Sequence, residues 1–66
     1  MTKEKAIEAL KDGKKVRHDL FGSTEWMKLH EDGNSYEFED GVIVRPYDFW
    51  SLRNQTYWDQ NWEIVK

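Results

Sequence analysis

The chain has 66 residues, which suits one domain, since a typical domain takes roughly 100 residues and two cores would not fit. Thirteen acidic against ten basic side chains leave a formal charge of −3, the wrong sign for gripping phosphate backbones, so no nucleic-acid partner is expected. The absence of cysteine excludes disulfide scaffolds and thiol nucleophiles and fits a reducing, cytoplasmic setting. The longest apolar run, Val42 to Val44, is far from the about 20 residues of a membrane span or the roughly 7 to 15 of a signal-peptide core, so the chain is expected to be soluble and unexported, with no membrane partner.

Thr2 to Lys11 reads as a helix. Thr2 caps it, Glu4 sits where the helix dipole favours an anion, Ala6, Ile7, Ala9 and Leu10 recur three or four apart, and Lys11 closes the last turn before Gly13. So short a helix does not stand alone in water, so its stripe of Ala6, Ile7 and Leu10 must dock on something. From Lys14 the apolar period drops from about 3.6 residues to about 2. Val16, His18 and Leu20 alternate with Lys15, Arg17 and Asp19, the mark of a half-buried strand ending near Phe21.

After a turn at Gly22 to Thr24, a second strand, Glu25 to His30, puts Met27 and Leu29 on one face and Trp26, Lys28 and His30 on the other. The turn Glu31 to Asn34 leads into a third strand, in which Tyr36 and Phe38 alternate with Glu37 and Glu39. A fourth strand stops near Arg45, because Pro46 has no N–H to give to a ladder. Pro46 instead suits the first position of a short helical turn reaching Leu52. Arg53 to Asn61 is polar and reads as a loop carrying Tyr57 and Trp58. Trp62 to Lys66 form a last short strand with Trp62 and Ile64 on one face.

Register follows from these faces. A loop of Glu31 to Asn34 sets His30 opposite Ser35, Leu29 opposite Tyr36, Lys28 opposite Glu37 and Met27 opposite Phe38, with every apolar partner on one side and Lys28 and Glu37 paired outside. At the next turn, a two-residue Asp40-Gly41 loop would mix carboxylates into the apolar face. A loop of Glu39, Asp40 and a left-handed Gly41 sets Phe38 opposite Val42 and Tyr36 opposite Val44, and is preferred. The whole is expected to be a single α+β domain, one N-terminal helix packed on an antiparallel sheet of four to five strands.

No enzyme is indicated. The hydroxyls show no nucleophile-elbow context, and His18 and His30 match no metal-ligand spacing. His18, on a mostly apolar face, is read as a partly buried, hydrogen-bonded residue, and His30 as a solvated turn residue. Glu37 and Glu39 read as a soluble strand face, and the Asp-Gly pairs as turn chemistry rather than phosphate cradles. No metal and no cofactor is expected.

A binding site has better materials. A nucleotide-like ligand needs a π-face for its base and guanidinium or ammonium groups for its phosphates. Arg17, Arg45, Trp50, Arg53 and Trp58 are the candidates, against a plainer reading in which Trp50 and Trp62 are core, Tyr57 and Trp58 cover a sheet end and the cations are solvated. Trp26 differs, because its register turns it outward with Lys28 and Ile43, and an exposed apolar patch on a small protein marks an interface. Four Trp, three Tyr and three Phe also stand where so short a chain has neither disulfide nor metal to stabilise it, leaving large aromatics and self-association as the devices available.

The opening EKAIEALKDGKKVRHDLF (Glu4 to Phe21) and the closing YWDQNWEIV (Tyr57 to Val65) resemble the ends of small phage-encoded proteins of the Thoeris anti-defence sponge family, second type, formerly a domain of unknown function. Those proteins begin with a helix running into a GKKVxR strand and end on an acidic motif around a final tryptophan. His18 departs from the basic or polar residue common there, and Thr24 to Ser51 match only in being strand-like. The resemblance implies a small α+β fold assembled as a homo-oligomer, with pockets at subunit boundaries that sequester cyclic nucleotide-type immune signals without cleaving them. It makes Arg17 a ligand or interface residue and Trp62 a structural one. The expected function is therefore a non-enzymatic phage-type accessory protein that binds such a ligand in the cytoplasm of an infected bacterium. The alternatives are a protein-binding inhibitor of a host defence enzyme, docking through Trp26, Lys28, Glu37, Ile43 and Arg45, and a structural virion component.

Overall fold

The computed structural model describes every residue from Met1 to Lys66. Helix α1 (Lys3–Lys11) starts at the expected cap, where Thr2 Oγ1 accepts the Lys5 N–H at 3.2 Å. Its buried stripe is Ala6, Ala9 and Leu10, with Ile7 only half buried. Ile7, about 100° round the helix from Ala6 and on the side away from Ala9, falls at the rim of that stripe.

The strands are β1 (Lys15–His18), β2 (Met27–Leu29), β3 (Tyr36–Phe38), β4 (Ile43–Val44) and β5 (Trp62–Val65). Helix α2 (Pro46–Ser51) and a 3-10 turn (Thr56–Asp59) lie between the last two. They form one five-stranded antiparallel sheet in the order β4-β3-β2-β1-β5, and with α1 packed across β1, β2 and β5 the protein is a small α+β domain. Four strands follow one another as a meander. The chain then returns through α2 and the 3-10 turn to add β5 beyond β1, at the opposite edge.

Both argued registers are present. Met27 faces Phe38, Lys28 faces Glu37 and Leu29 faces Tyr36 across β2 and β3, and Tyr36 faces Val44 across β3 and β4. The β3–β4 loop closes with Phe38 N–H donating to Val42 O at 2.9 Å and Gly41 at φ 89°, a left-handed conformation that an L side chain resists. At the β2–β3 turn, Asp32 Oδ1 accepts the Asn34 and Ser35 N–H groups at 2.9 and 3.1 Å, which holds the Asp32 carboxyl below its ordinary pKa.

Three local expectations are corrected. β1 ends at His18, not near Phe21, because the Phe21 N–H turns back to His18 O at 2.9 Å; Leu20 is thereby thrown out to 61% exposure and Phe21 enters the core. The segment after Arg53 is no simple loop, since its 3-10 turn drives Trp58 inward. Lys28 does face Glu37 as expected, and the correction concerns His30, which is hydrogen-bonded to Glu37 diagonally across the strand pair at 2.9 Å. His30 is thus an engaged, half-buried side chain rather than a solvated turn residue.

The core lies on one face of the sheet, where eleven residues from α1, the strands, the turn after β1, α2 and the 3-10 turn pack together, six of them aromatic: Phe21, Tyr36, Phe38, Phe49, Trp58 and Trp62. Trp62, 2% exposed, is the hub: its ring meets those of His18, Phe21, Phe49, Trp50 and Trp58 at centroid distances of 5.0 to 6.5 Å, and its Nε1–H donates to Trp58 O at 2.7 Å. Tilted and edge-on contacts of this kind add about 0.5–1.5 kcal/mol per pair beyond area burial, so aromatics do here what disulfides do in other small domains.

Candidate functional site

All three helical segments share the core face, so the other face of the sheet has no layer over it. The pleat places Lys15 and Arg17 of β1, Trp26 and Lys28 on and beside β2, Glu37 of β3, Ile43 of β4, and Glu63 and Val65 of β5 on that open face. Trp26 is turned outward as expected, yet it is half buried, because Lys15 lays its Nζ over the indole 4.3 Å from the ring centroid. One step along the ladder from the Val16–Met27 pair, Lys15 and Lys28 stand side by side. The chain's ion pairs are Lys5–Glu8, Arg17–Glu63 and His30–Glu37, so neither Lys15 nor Lys28 has a carboxylate within 4.0 Å. Ile43 is 46% exposed but belongs to the row of Glu37 and Lys28, two strands from Trp26 and about 10 Å away. The expected interface trio therefore shares a face without forming one apolar patch.

Of the five expected ligand-binding residues, Arg17 is occupied. Its guanidinium donates to Glu63 Oε1 at 2.7 Å and to the Phe21 and Gly22 carbonyls at 3.3 and 3.4 Å, tying β1 to β5 and to the following turn. Arg45 is exposed at the start of α2, where only its carbonyl is engaged, by the Phe49 N–H at 3.0 Å.

Trp50, Arg53 and Trp58 do come together, around Phe49 on the core side. The Arg53 guanidinium lies 4.0 Å from the Phe49 ring centroid and 5.3 Å from that of Trp58, and donates to Phe49 O at 3.3 Å. Burial lowers its pKa from the ordinary arginine value, and Glu25 opposes the shift. Trp58 is 9% exposed, with the His18 ring tilted against it at a centroid distance of 4.3 Å, so its burial leaves no free face for a base. Trp50 donates its Nε1–H to Tyr36 Oη at 3.0 Å and carries Lys3 Nζ 4.5 Å above its ring. Apart from the Arg53 Nε, which is buried without a partner, these groups engage one another, which fits the plainer reading of the aromatic cluster.

His18 belongs to the same cluster. It is 1% exposed, its Nδ1 accepts the Leu20 N–H at 3.0 Å and its Nε2 lies 2.9 Å from Tyr57 O. A ring nitrogen that accepts cannot carry the proton, so Nε2 holds it and donates to the carbonyl. Two backbone groups thus fix the tautomer and use both nitrogens, so the imidazole is a structural tie rather than a base facing a substrate.

One open cavity of about 240 Å³ lies beside the β3–β4 hairpin, lined by Phe38, Val42 and Val44 and by the carboxylates of Glu25, Glu39 and Asp40. Its charge repels phosphate. No group of three His, Cys, Asp or Glu is placed to hold a metal ion, and no helix is long and apolar enough to cross a membrane.

Fold and surface define the class: a small α+β domain with one open sheet face and no enclosed anion site. Comparison of the chain with protein families, with curated proteins and with solved structures finds no match. Two features had no local signal in the sequence. Lys15 meets Trp26 only because β1 pairs with β2 across an irregular connection, residues 19–26, that has no hairpin turn to set the register, and Glu25 joins Glu39 and Asp40 only through the tertiary fold.

Proposed function

We propose that the chain is a non-enzymatic phage-type accessory protein that sequesters a small nucleotide-type ligand between copies of itself, on the open face of the sheet. The observation that carries this reading is the pair of ammonium groups with no carboxylate within 4.0 Å, Lys15 and Lys28, beside the Trp26 indole: they supply cations for phosphate, and Lys15, in moving from the indole to a phosphate, uncovers a π-face for a base. Arg45 is a further free cation. A flat face covers only one side of a small molecule, whereas ligand sites bury about 70–90% of the ligand's surface, so a second copy must close the site. The resemblance of the two chain ends to the anti-defence sponges supports the same assembly. The proposed contacts move from Trp50, Arg53 and Trp58, which are taken up by the core, to Lys15, Trp26 and Lys28.

Calorimetric titration with cyclic di- and trinucleotides and ADP-ribose derivatives, together with mass by light scattering, tests this. Binding that is lost in Lys15→Gln/Lys28→Gln and in Trp26→Ala is expected from an oligomer. A monomer that gives no heat with any of the panel overturns it. A second reading, docking of a host enzyme on the same face, is favoured by the spread of Trp26, Lys28, Glu37 and Ile43 over three strands with both signs of charge, a footprint suited to a protein. Capture of one defined host protein by wild type and not by Trp26→Ala, with no nucleotide binding, would select it.

A further inference from the structure

We propose that the outer edge of β4, with the cavity beside it, is a docking groove for an extended basic segment of another polypeptide, which adds to the sheet as a further strand with lysine or arginine at alternate positions. The site is distinct from the open sheet face and does not depend on the function proposed for it.

The sheet has two edges, β5 and β4; the β5 edge is covered at Trp62, whereas β4 is open and has the cavity beside it. At β5 the Trp62 N–H and C=O point outward and both are taken by Met1: the Met1 amine donates to Trp62 O at 2.6 Å, and the Trp62 N–H donates to Met1 O at 3.1 Å. At β4 the Phe38 N–H donates to Val42 O, and the alternation of an antiparallel ladder then turns the N–H and C=O of Ile43 away from β3, toward the free edge. Val42 and Ile43 are 52% and 46% exposed there. Peptide addition to an exposed edge draws affinity from main-chain bonds and specificity from pockets for alternate side chains.

The cavity is that pocket. In an added strand, the residues flanking the one opposite Ile43 lie on the same face as Val42 and Val44, and so enter the space bounded by Phe38, Val42, Val44, Glu25, Glu39 and Asp40. A lysine or arginine fits both parts of it, laying its methylene stem on the valines and its cationic head among the carboxylates. Those carboxylates accept only backbone N–H groups, Glu25 from Gly22, Glu39 from Asp40 and Asp40 from Val42, and none has a cation within 4.0 Å. The same charges argue against a second copy here, because pairing two β4 edges would bring Glu39 and Asp40 of each chain toward those of the other. Pro46 limits the added strand to a few residues, since β4 ends where the ladder loses its donor.

The test is an amide-resolved NMR titration of the full chain with an acetylated, amidated Arg-Val-Arg-Val-Arg peptide. Shifts confined to Phe38–Arg45 and the Gly22–Glu25 turn, with slowed hydrogen exchange at Ile43, are expected. N-methylating the peptide amides that would face β4 should abolish them in the wild-type protein. Combining Glu25→Gln and Glu39→Gln, which keep the acceptor oxygens, should weaken binding about fivefold, the weight of exposed ion pairs. A Glu-Val-Glu-Val-Glu peptide that binds equally well, indifference to N-methylation, or shifts centred on Trp26 would overturn the proposal. So would shifts at β4 that depend on protein concentration alone, which would make a second copy the occupant.

Discussion

Replacing His18 with leucine removes the one side chain that ties β1 to both the turn after it and the 3-10 turn. The imidazole is 1% exposed and serves the Leu20 N–H at 3.0 Å and Tyr57 O at 2.9 Å. Leucine keeps apolar bulk against Trp58 and Trp62 but leaves both backbone groups without their partner. A buried group left unpaired costs about 1–3 kcal/mol, and since these two bonds are only partly buried, the low end applies to each. His18→Leu should therefore lose about 2 kcal/mol, a large share of the roughly 3–10 kcal/mol that a chain of 66 residues commands, and lower the Tm by about 8–16 °C. Glutamine carries its donor and acceptor on one amide and cannot span the two groups, so His18→Gln should recover at most one bond, about 1 kcal/mol. Urea unfolding followed by tryptophan fluorescence reads both, because Trp58 and Trp62 contact the ring. A His18→Leu midpoint equivalent to less than about 0.5 kcal/mol from wild type would refute the reasoning, placing His18 among surface-like positions.

The His30–Glu37 contact predicts a stability contribution bounded on both sides in pH. The His30 pKa is raised, first by its hydrogen bond to Glu37, so this stability is complete below the ordinary histidine value and lost as pH rises through the higher folded one. The Glu37 pKa is lowered, first by the same bond, so its share is present above the ordinary carboxylate value and lost as pH falls through the lower folded one. Urea midpoints should show this window in wild type and not in Glu37→Gln, and NMR titration should find the His30 pKa falling in that variant; an unchanged value would refute the assignment. Gly41→Ala should cost about 1–2 kcal/mol in urea unfolding, purely from the left-handed backbone, because nothing lies within 4 Å of the added methyl, and Gly41→Asn should cost less. Trp50→Phe removes the Nε1–H donated to Tyr36 and should cost about 1 kcal/mol in the same assay. The Tyr36 hydroxyl, already raised in pKa by burial and held back by that bond, should then ionise at still higher pH in an absorbance titration.

By itself the sequence determined what neighbouring residues decide among themselves. Thr2 and the spacing of Ala6, Ala9 and Leu10 define α1, and the pleat with the loop lengths at Glu31–Asn34 and Glu39–Gly41 leaves one register that keeps Met27, Phe38, Tyr36 and Val44 together. The candidate site was legible to the extent that Trp26 and Lys28 were turned outward together, since alternation along a strand is also local. Only the tertiary structure decided that Lys15 covers that indole, that Glu63 occupies Arg17, that Trp58 is buried against His18, and that Glu25 meets Glu39 and Asp40 at one edge. Three of these contacts join segments far apart in the chain, and the Lys15–Trp26 contact crosses an irregular connection with no hairpin turn to set its register. Spacing along the chain constrains such pairs weakly, because closing a longer loop adds little cost, and burial of the aromatic core selects which pairs form.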